Sequence, residues 1–409
     1  KEYKQTEVGL IPSDWEVKTL ENLSTRIGDG IHSTPIYSSN GEYYFVNGNN
    51  LINGSIIIAE DTKRVSKVEY LLNKRDINQT TVLLSINGTI GNIAFYNDEK
   101  IVLGKSAAYI NLNDKIDKRL FYQLIQAQFI KKYFDDELTG STIKNLGLGS
   151  IRNTPIPLPP TFSEQIAICT ALSDTDALIS SLEKLITKKS NIKQASMQKL
   201  LQSKKNWEVK KLGDIFNFYN TANYSKAEMT FDGEIGCLHY GLIHAIPHVS
   251  YSLKNGVKFY LKEDNTKYEL IQDGDIVMVD ASEDFLGINK CIEVSNVENR
   301  KFIAGLHTYL MRDVNNILMK NFRGLILNAA IVKQQLLKLA VGMKVYGVSK
   351  TQLKEVLIPV PPHEEQIRIA TILSDMDAEI IALETKLEKY KKVKLGMMQN
   401  LLTGKIRLI

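Results

Sequence analysis

Cysteine is scarce in this 409-residue chain, with Cys169, Cys237 and Cys291 odd in number and far apart. No disulfide framework is encoded, and a reduced compartment is expected. Long hydrophobic runs are missing too: no window approaches the roughly 18 consecutive apolar residues of a spanning helix, so no membrane role is expected. The opening KEYKQTEVGLIPSDW has no apolar stretch of the secretory kind. The expected location is the cytoplasm. Charge of one sign is equally thin. The formal charge is +5, but the first 150 residues hold 17 Lys and Arg against 18 Asp and Glu. A net basic footprint for nucleic acid is therefore absent from that part, and a duplex held there needs phosphate attraction from a partner.

Catalytic motifs are missing as well. Leu103-Gly104-Lys105-Ser106 resembles the end of a phosphate-binding loop, but the glycine required five residues before Gly104 is Glu99. Gly88-Thr89-Ile90-Gly91 has the GxxG form of a KH loop, yet a turn between strands is the simpler role. Cys237, His239, His244 and His248 are spaced compactly enough to suggest zinc, but nothing comparable occurs earlier in the chain, so no metal is expected. Asp174 with Asp176, and Asp375 with Asp377, form DxD pairs. On a helix, residues two apart point away from each other and cannot share an ion, which suggests a solvated or partner-facing stripe. Glu384-Thr385-Lys386 has the tail of a nuclease motif without an upstream acid. There is no N/D-P-P-Y/F, G-x-S-x-G or H-E-x-x-H motif. The expectation is no catalytic residue and no cofactor in this chain.

What the chain does have is a repeat. WEVKTLENL (Trp15–Leu23) returns as WEVKKLGDI (Trp207–Ile215), and IPLPP (156–160) returns as IPVPP (358–362). From Gln165 onward the match runs at constant spacing. Leu172, Ser173, Asp174, Asp176 and Ala177 correspond to Leu373, Ser374, Asp375, Asp377 and Ala378, and MQKLL (197–201) to MQNLL (398–402). The chain reads as a tandem duplication with an internal pseudo-twofold. Apolar content of 44% supports a substantial core in each unit. The predicted domains are 1–155 and 207–357, with connector helices at 156–206 and 358–409.

Periodicity makes the connectors helical. Ile369, Leu373, Met376, Ile380, Leu383, Leu387, Tyr390, Lys394, Met397 and Leu401 step by alternating four and three residues. In the first copy the same points hold Ile168, Leu172, Thr175, Ile179, Leu182, Ile186, Lys189, Lys193, Ser196 and Leu200. This is a coiled-coil seam, and Thr161 with Glu164 has capping-box spacing at the first start. Ile168, Leu172, Ile179, Leu182 and Ile186 are the expected pairing residues of one helix, and Ile369, Leu373, Met376, Ile380, Leu383 and Leu387 those of the other. If the second helix returns to the first unit, the two run antiparallel. About 40 residues give a rod of roughly 60 Å.

Between the connectors the sequence hardly repeats. YYFVNG, GSIIIAE, TTVLLSINGTIGNIAFYN and SAAYINL read as strands, with a helical patch near LFYQLIQAQFIKKYF. The second unit offers GVKFYLK, GDIVMVD, NKCIEVSN and HTYLMRD, then the helical NFRGLILNAAIVKQQLLKLA. The predicted class is α+β. Divergent globular regions on matched connectors suit two different ligands at fixed separation, the rod setting a spacing on the scale of the about 34–36 Å per turn of DNA.

The order of WE-x-x-L, Gly-Asp-Gly-x-His-x-x-Pro (28–35), GST-x-K-x-L (140–146), IPLPP-x-x-x-EQ, LSDxDA and a long helix, repeated in outline, resembles the specificity subunit of type I restriction-modification enzymes. The resemblance covers essentially the whole chain, although Val341 to Tyr346 stands in place of the GST segment. It implies two target-recognition domains, each reading one half of a bipartite, asymmetric site in double-stranded DNA. It further implies that the helices fix the gap and dock two methyltransferase subunits, and that motor-nuclease subunits join. S-adenosylmethionine, magnesium and ATP would then belong to partners. Other readings are a coiled-coil adaptor scaffolding two protein partners and a self-contained nuclease or methyltransferase, the last opposed by the missing motifs.

Base edges are read by loop Arg, Lys, Asn, Gln, Ser, Thr and His. The first unit offers His32, Ser33, Thr34, Lys63, Arg64, Lys67, Asn87, Thr89, Lys105, Ser106, Ser141, Thr142, Lys144 and Asn145. The second offers Asn223, Tyr224, Lys226, His239, Tyr240, His244, Lys290, His307, Lys344 and Tyr346.

Overall fold

The structure, a computed structural model, describes residues 2–140, 144–261, 267–285, 287–342 and 345–408, apart from the side chains of Lys226 and Asn255. The chain forms two compact units, Lys1–Glu183 with Thr385–Ile409, and Lys184–Glu384. Two 39-residue helices, Phe162–Leu200 and His363–Leu401, each begin in one unit and finish in the other.

Both units are α+β and share a sheet plan that their sequences do not announce. In the first, a four-stranded sheet has the order Ile93–Phe95, Thr81–Ser85, Ala107–Leu112, Ser24–Asp29. In the second, Cys291–Ser295, Ile276–Val279, Thr308–Arg312 and Asn217–Tyr219 follow the same order, and Ser250–Ser252 adds a parallel edge. A three-stranded sheet accompanies each. Ile101–Leu103 runs parallel to Tyr43–Val46, and Lys301–Ala304 runs parallel to Ile235–Leu238. The inner strands Thr81–Ser85, Ala107–Leu112 and Ile276–Val279 are buried at every residue. Such strands carry continuous apolar runs in place of an alternating pattern, as GDIVMVD does.

The repeated motifs are a strand pair. Glu16–Thr19 pairs antiparallel with Pro155–Leu158, and Glu208–Lys211 with Leu357–Val360. A two-stranded ribbon tolerates proline because the missing N–H groups face no further strand. Next in each copy comes a buried glutamine. Gln165 Oε1 accepts from the Asp117 amide at 2.9 Å, while its Nε2 donates to the carbonyls of Lys115 and Pro159 at 3.1 and 3.5 Å. Gln366 accepts from the Met319 amide at 2.7 Å and donates to the carbonyls of Ile317 and Pro361 at 3.2 and 2.9 Å. Each ties the first turn of a long helix to the loop entering the helical layer of its unit.

Glu164 and Glu365 are matched in the same way. The Arg407 guanidinium binds Glu164 and also Asp14, which fastens the end of the chain to the first unit. Glu365 takes Lys204 and, at 2.9 Å, Trp207 Nε1. The Thr161 cap is present, with the Glu164 amide donating to Oγ1 at 3.2 Å. The Glu164 carboxylate, engaged by Arg407, is the arm that a full capping box would have sent back.

Within each unit the two helix segments pack antiparallel. In the first, Asp176 pairs with Lys394 and Glu183 with Lys391, one number falling as the other rises. In the second, Lys189 pairs with Glu379 and Lys193 with Asp377. The seam is buried at Ile168, Leu172, Leu182, Ile369, Leu373, Ile380 and Leu387 and half-buried at Ile179, Ile186, Met376 and Leu383. One reading needs correction. Asp176 and Asp377 are not a solvated stripe, because each is half-buried against a seam lysine of the facing helix, while Asp174 and Asp375 are exposed. Each helical patch is helical as expected and consists of two helices. Lys118–Ile125 and Gln128–Glu137 are separated by Gln126-Ala127, and Arg323–Leu327 and Ala330–Lys338 by Asn328-Ala329, with Ala127 and Ala329 both extended.

Replacing Gln366 by Leu strands the Met319 amide and two carbonyls without partners, at a cost of about 3 kcal/mol. The urea midpoint of the full chain is expected to fall clearly, whereas Glu364→Leu on the exposed side of the same turn leaves it within error. Equal midpoints would show that the glutamine does not clamp the helix.

Candidate nucleic-acid interface

The candidate loops of the first unit leave the same end of its two sheets. The Ile86 amide donates to the Ser106 carbonyl at 3.0 Å, and the Leu146 amide to the Ile86 carbonyl at 2.9 Å. Gly104 N reaches the Val46 carbonyl at 2.8 Å, and Ile31 N reaches that of Leu103 at 2.8 Å. Segments 30–34, 47–50, 85–91, 104–106 and 144–146 thereby form one edge. The 63–67 segment joins it through the pairing of Tyr43 and Tyr44 with Val65 and Arg64, and through a small core of Ile31, Val65 and Val102.

At this edge His32, Ser33, Thr34, Lys63, Arg64, Lys67, Thr89, Lys105 and Lys144 are exposed, and Asn87 and Asn145 are half-buried. His32 Nε2 lies 2.8 Å from Asp29 Oδ2, and the Arg64 guanidinium sits 4.9 Å over the Tyr44 ring. Arg75 braces the His32 loop by donating to the carbonyls of Asp29 and Gly30 at 2.9 and 3.2 Å. Ser106 is occupied within the frame: its Oγ accepts from the Gly48 amide at 2.9 Å and donates to Asn47 Oδ1 at 3.0 Å. A Cβ on Gly48 would collide with the Ser85 hydroxyl. Ser85 itself lies 3.1 Å from Thr89 Oγ1. Asn47, Gly48 and Ser85 escaped sequence reasoning, and the run Asn47-Gly48-Asn49-Asn50 after an apolar strand was the available signal.

The second unit builds the corresponding edge from other side chains. Gly305 N donates to the Leu238 carbonyl at 2.9 Å, Tyr240 N to Leu306 at 3.2 Å, and Asp280 N to His307 at 3.2 Å. Around Tyr240 stand three of the six histidines of the chain, with ring centroids at 5.8 Å for His239, 6.2 Å for His244 and 5.4 Å for His307. His307 has a left-handed backbone, φ 57°, and its Nδ1 lies 3.5 Å from Asp280. Burial lifts the Asp280 carboxyl above its ordinary range, and the His307 ring opposes that rise. Lys290 is turned inward, donating to the His244 carbonyl at 3.0 Å, and burial holds its ammonium below the usual lysine range. Asn223 accepts from the Tyr268 hydroxyl at 3.4 Å, Tyr224 meets the Tyr268 ring at 6.0 Å, and Tyr346 meets Phe285 at 5.1 Å. Asp280 and Phe285 were not legible, since nothing in their neighbourhood of the sequence marks them.

One backbone pairing occurs at both edges. Thr139 and Asn145 exchange backbone hydrogen bonds at 3.0 and 2.9 Å, and Val341 and Gly347 do so at 3.0 and 2.9 Å. Gly140 and Gly342 follow the first residue of each pair with positive φ, 95° and 153°, as glycine permits. The flanks of the GST segment and of its replacement are thus held by the same pair of bonds. Ser141, Thr142 and Lys344 lie outside the described residues, as does the side chain of Lys226.

The model of the type I restriction modification DNA specificity domain matches residues 12–194 and again 204–394, and the chain belongs to that family. It is 26% identical to the type I restriction enzyme MjaVIII specificity subunit of Methanocaldococcus jannaschii, over 97% of this chain and 94% of that one. It is 25% identical to the putative MjaX specificity subunit of the same organism, over 99% and 96%. Among solved structures, the S subunit of a type I restriction-modification system from M. genitalium superposes with a TM-score of 0.56 at 17% identity, covering 96% of each chain. A chain from a structure on complex assembly and conformational transition of the type I system gives 0.58 at 14% identity, over 97% and 99%. These two show the fold.

Burial first, then the Lys290 ammonium, hold the His244 imidazole below its ordinary 6.5, with Asp284 pulling the other way. The neutral ring is thus favoured in the folded state, so this site costs stability only as pH falls below about 6.5. By NMR, His244 is expected to titrate below 6.5 and to move upward, still short of 6.5, in Lys290→Met. An unmoved midpoint would remove Lys290 as a cause.

Proposed function

We propose that this chain is the DNA sequence-recognition subunit of a type I restriction-modification complex. Residues 1–155 and 207–357 each read one half of a bipartite, asymmetric site in double-stranded DNA. The connectors 156–206 and 358–409 hold the gap between half-sites and dock two methyltransferase subunits, and motor-nuclease subunits complete the assembly. The observation that carries this reading is the pair of matching loop edges, one frame presenting different side chains in its two copies. A protein with one symmetric ligand needs the same side chains twice, whereas an asymmetric site needs them to differ.

The division of labour follows from the side chains present. Exposed lysines at 63, 67, 105 and 144 are suited to phosphate oxygens, which set register and supply salt-dependent affinity. Asparagine, threonine and histidine at the same edges suit base edges, where each well-made pair discriminates by about 1–3 kcal/mol. Bond making and breaking is assigned to partners, together with S-adenosylmethionine, magnesium and ATP. Burial pushes the Cys237 and Cys291 thiols up to about 12, so neither is a nucleophile at neutral pH. The working compartment is the cytoplasm, where DNA and these partners meet.

Co-expression with a neighbouring methyltransferase and sequencing of modified adenines provides the test. A gapped two-part motif that disappears on deletion of this chain is expected, and its halves should exchange order when residues 1–155 and 207–357 are exchanged. An unchanged methylome would refute the reading. Lys105→Ala is expected to weaken binding to all sequences alike and to lower the salt slope by about one, and a sequence-dependent loss would make Lys105 a base reader instead.

A further inference from the structure

The helix Lys67–Asn73 of the first unit is amphipathic with its apolar stripe turned outward. Val68, Leu71 and Leu72 stand at i, i+3 and i+4, the spacing of one helix face, and they are 69%, 53% and 77% exposed. The inward side is held by Tyr70, stacked on Tyr43 at 4.0 Å and 9°, while Asn73 takes up Glu69 through both its carbonyl and its carboxylate at 2.9 Å. The charges around the stripe are mostly basic. Lys63, Arg64, Lys67 and Lys74 are exposed within thirteen residues whose single acid is the engaged Glu69. No helix follows the equivalent strand pair of the second unit among its described residues.

We propose that this helix is a reading element of the first target-recognition region, and that Val68, Leu71 and Leu72 pack on thymine methyl groups in the major groove of the first half-site. The proposal rests on the DNA-reading function given above. Three physical points select a duplex as the occupant. The flanking cations suit a polyanion, the helix continues directly from the edge that carries Lys63 and Arg64, and Arg75 just after it braces the His32 loop of that edge. The major groove admits an α-helix, and the only apolar group it displays is the thymine methyl. An aliphatic stripe framed by lysines matches that combination: methyl contacts from the centre and phosphate contacts from the rim.

Uracil lacks the methyl group and keeps the pairing, so it isolates the contact. With the motif known, the full chain in complex with its methyltransferase is titrated with duplexes carrying thymine or deoxyuracil in the first half-site. Affinity is expected to fall about fourfold per critical methyl removed. Uracil in the second half-site serves as control and is expected to be silent toward these residues. In the exposed-site variant Leu71→Ser/Leu72→Ser the thymine preference of the first half-site should disappear, while Lys67→Ala lowers affinity for both duplexes equally. A first half-site without an A·T pair, a silent uracil substitution, or a thymine preference that survives in the double variant overturns the proposal. So does a double variant that binds DNA normally but no longer copurifies with its methyltransferase, which would make the stripe a protein-docking face. Each of these outcomes can occur with the gapped methylation motif intact, so failure here is separate from failure of the function itself.

Discussion

A buried amide side chain with three backbone partners fixes how each long helix leaves its globular part. Gln165 and Gln366 accept one N–H and donate to two carbonyls, and these partners come from two places, the proline run just before the helix and the loop before the helical layer. A hydrophobic side chain could fill the same volume, but it would permit many exit angles. Three directional bonds permit one. The strand pair formed by the two tryptophan-led segments and the proline runs lies immediately outside this clamp, so the frame from which the loops project is referred back to the helix axis. Divergence elsewhere is tolerable because it is not what sets the direction of the helices.

The loops could diverge so far because the frame beneath them asks little of sequence. Fully buried strands need only apolar residues of suitable volume, and cores of that kind accept extensive substitution when volume and pattern are kept. Thus Thr81–Ser85 and Ile276–Val279 occupy the same place in their sheets with little identity, and Thr139 with Asn145 and Val341 with Gly347 exchange the same pair of backbone hydrogen bonds. The asparagine, serine and threonine network of the first edge and the histidine cluster of the second are alternative cargoes on equivalent supports.

This division also explains what could be read from the sequence. The long helices, their seam and the two-unit organisation were legible because heptads and repeated connectors are local and periodic. Asp176 reads in the sequence as part of a solvated or partner-facing stripe because it is judged on its own helix, whereas its pairing with Lys394 joins distant parts of the chain. Strand order was illegible for the same reason: hydrogen-bond partners such as Val46 and Gly104 carry no mark of each other. At the edges, residue types pointed to suitable chemistry but could not separate Lys105, exposed, from Lys290, whose ammonium is used inside the protein. The outward stripe of the Lys67–Asn73 helix has, on paper, the pattern of a buried face, so its exposure is visible only in the structure.

The crossed ion pairs bear on why the chain is double. Asp176 meets Lys394 in one unit and Asp377 meets Lys193 in the other, at positions that correspond in the repeat. Each helix therefore carries both the acid and the base of the pair, the arrangement of an isologous contact between identical copies. The same acid–base pair is thus closed twice, once within each unit. The helices thus keep the chemistry of a contact between like copies, while the loop edges they support carry different side chains.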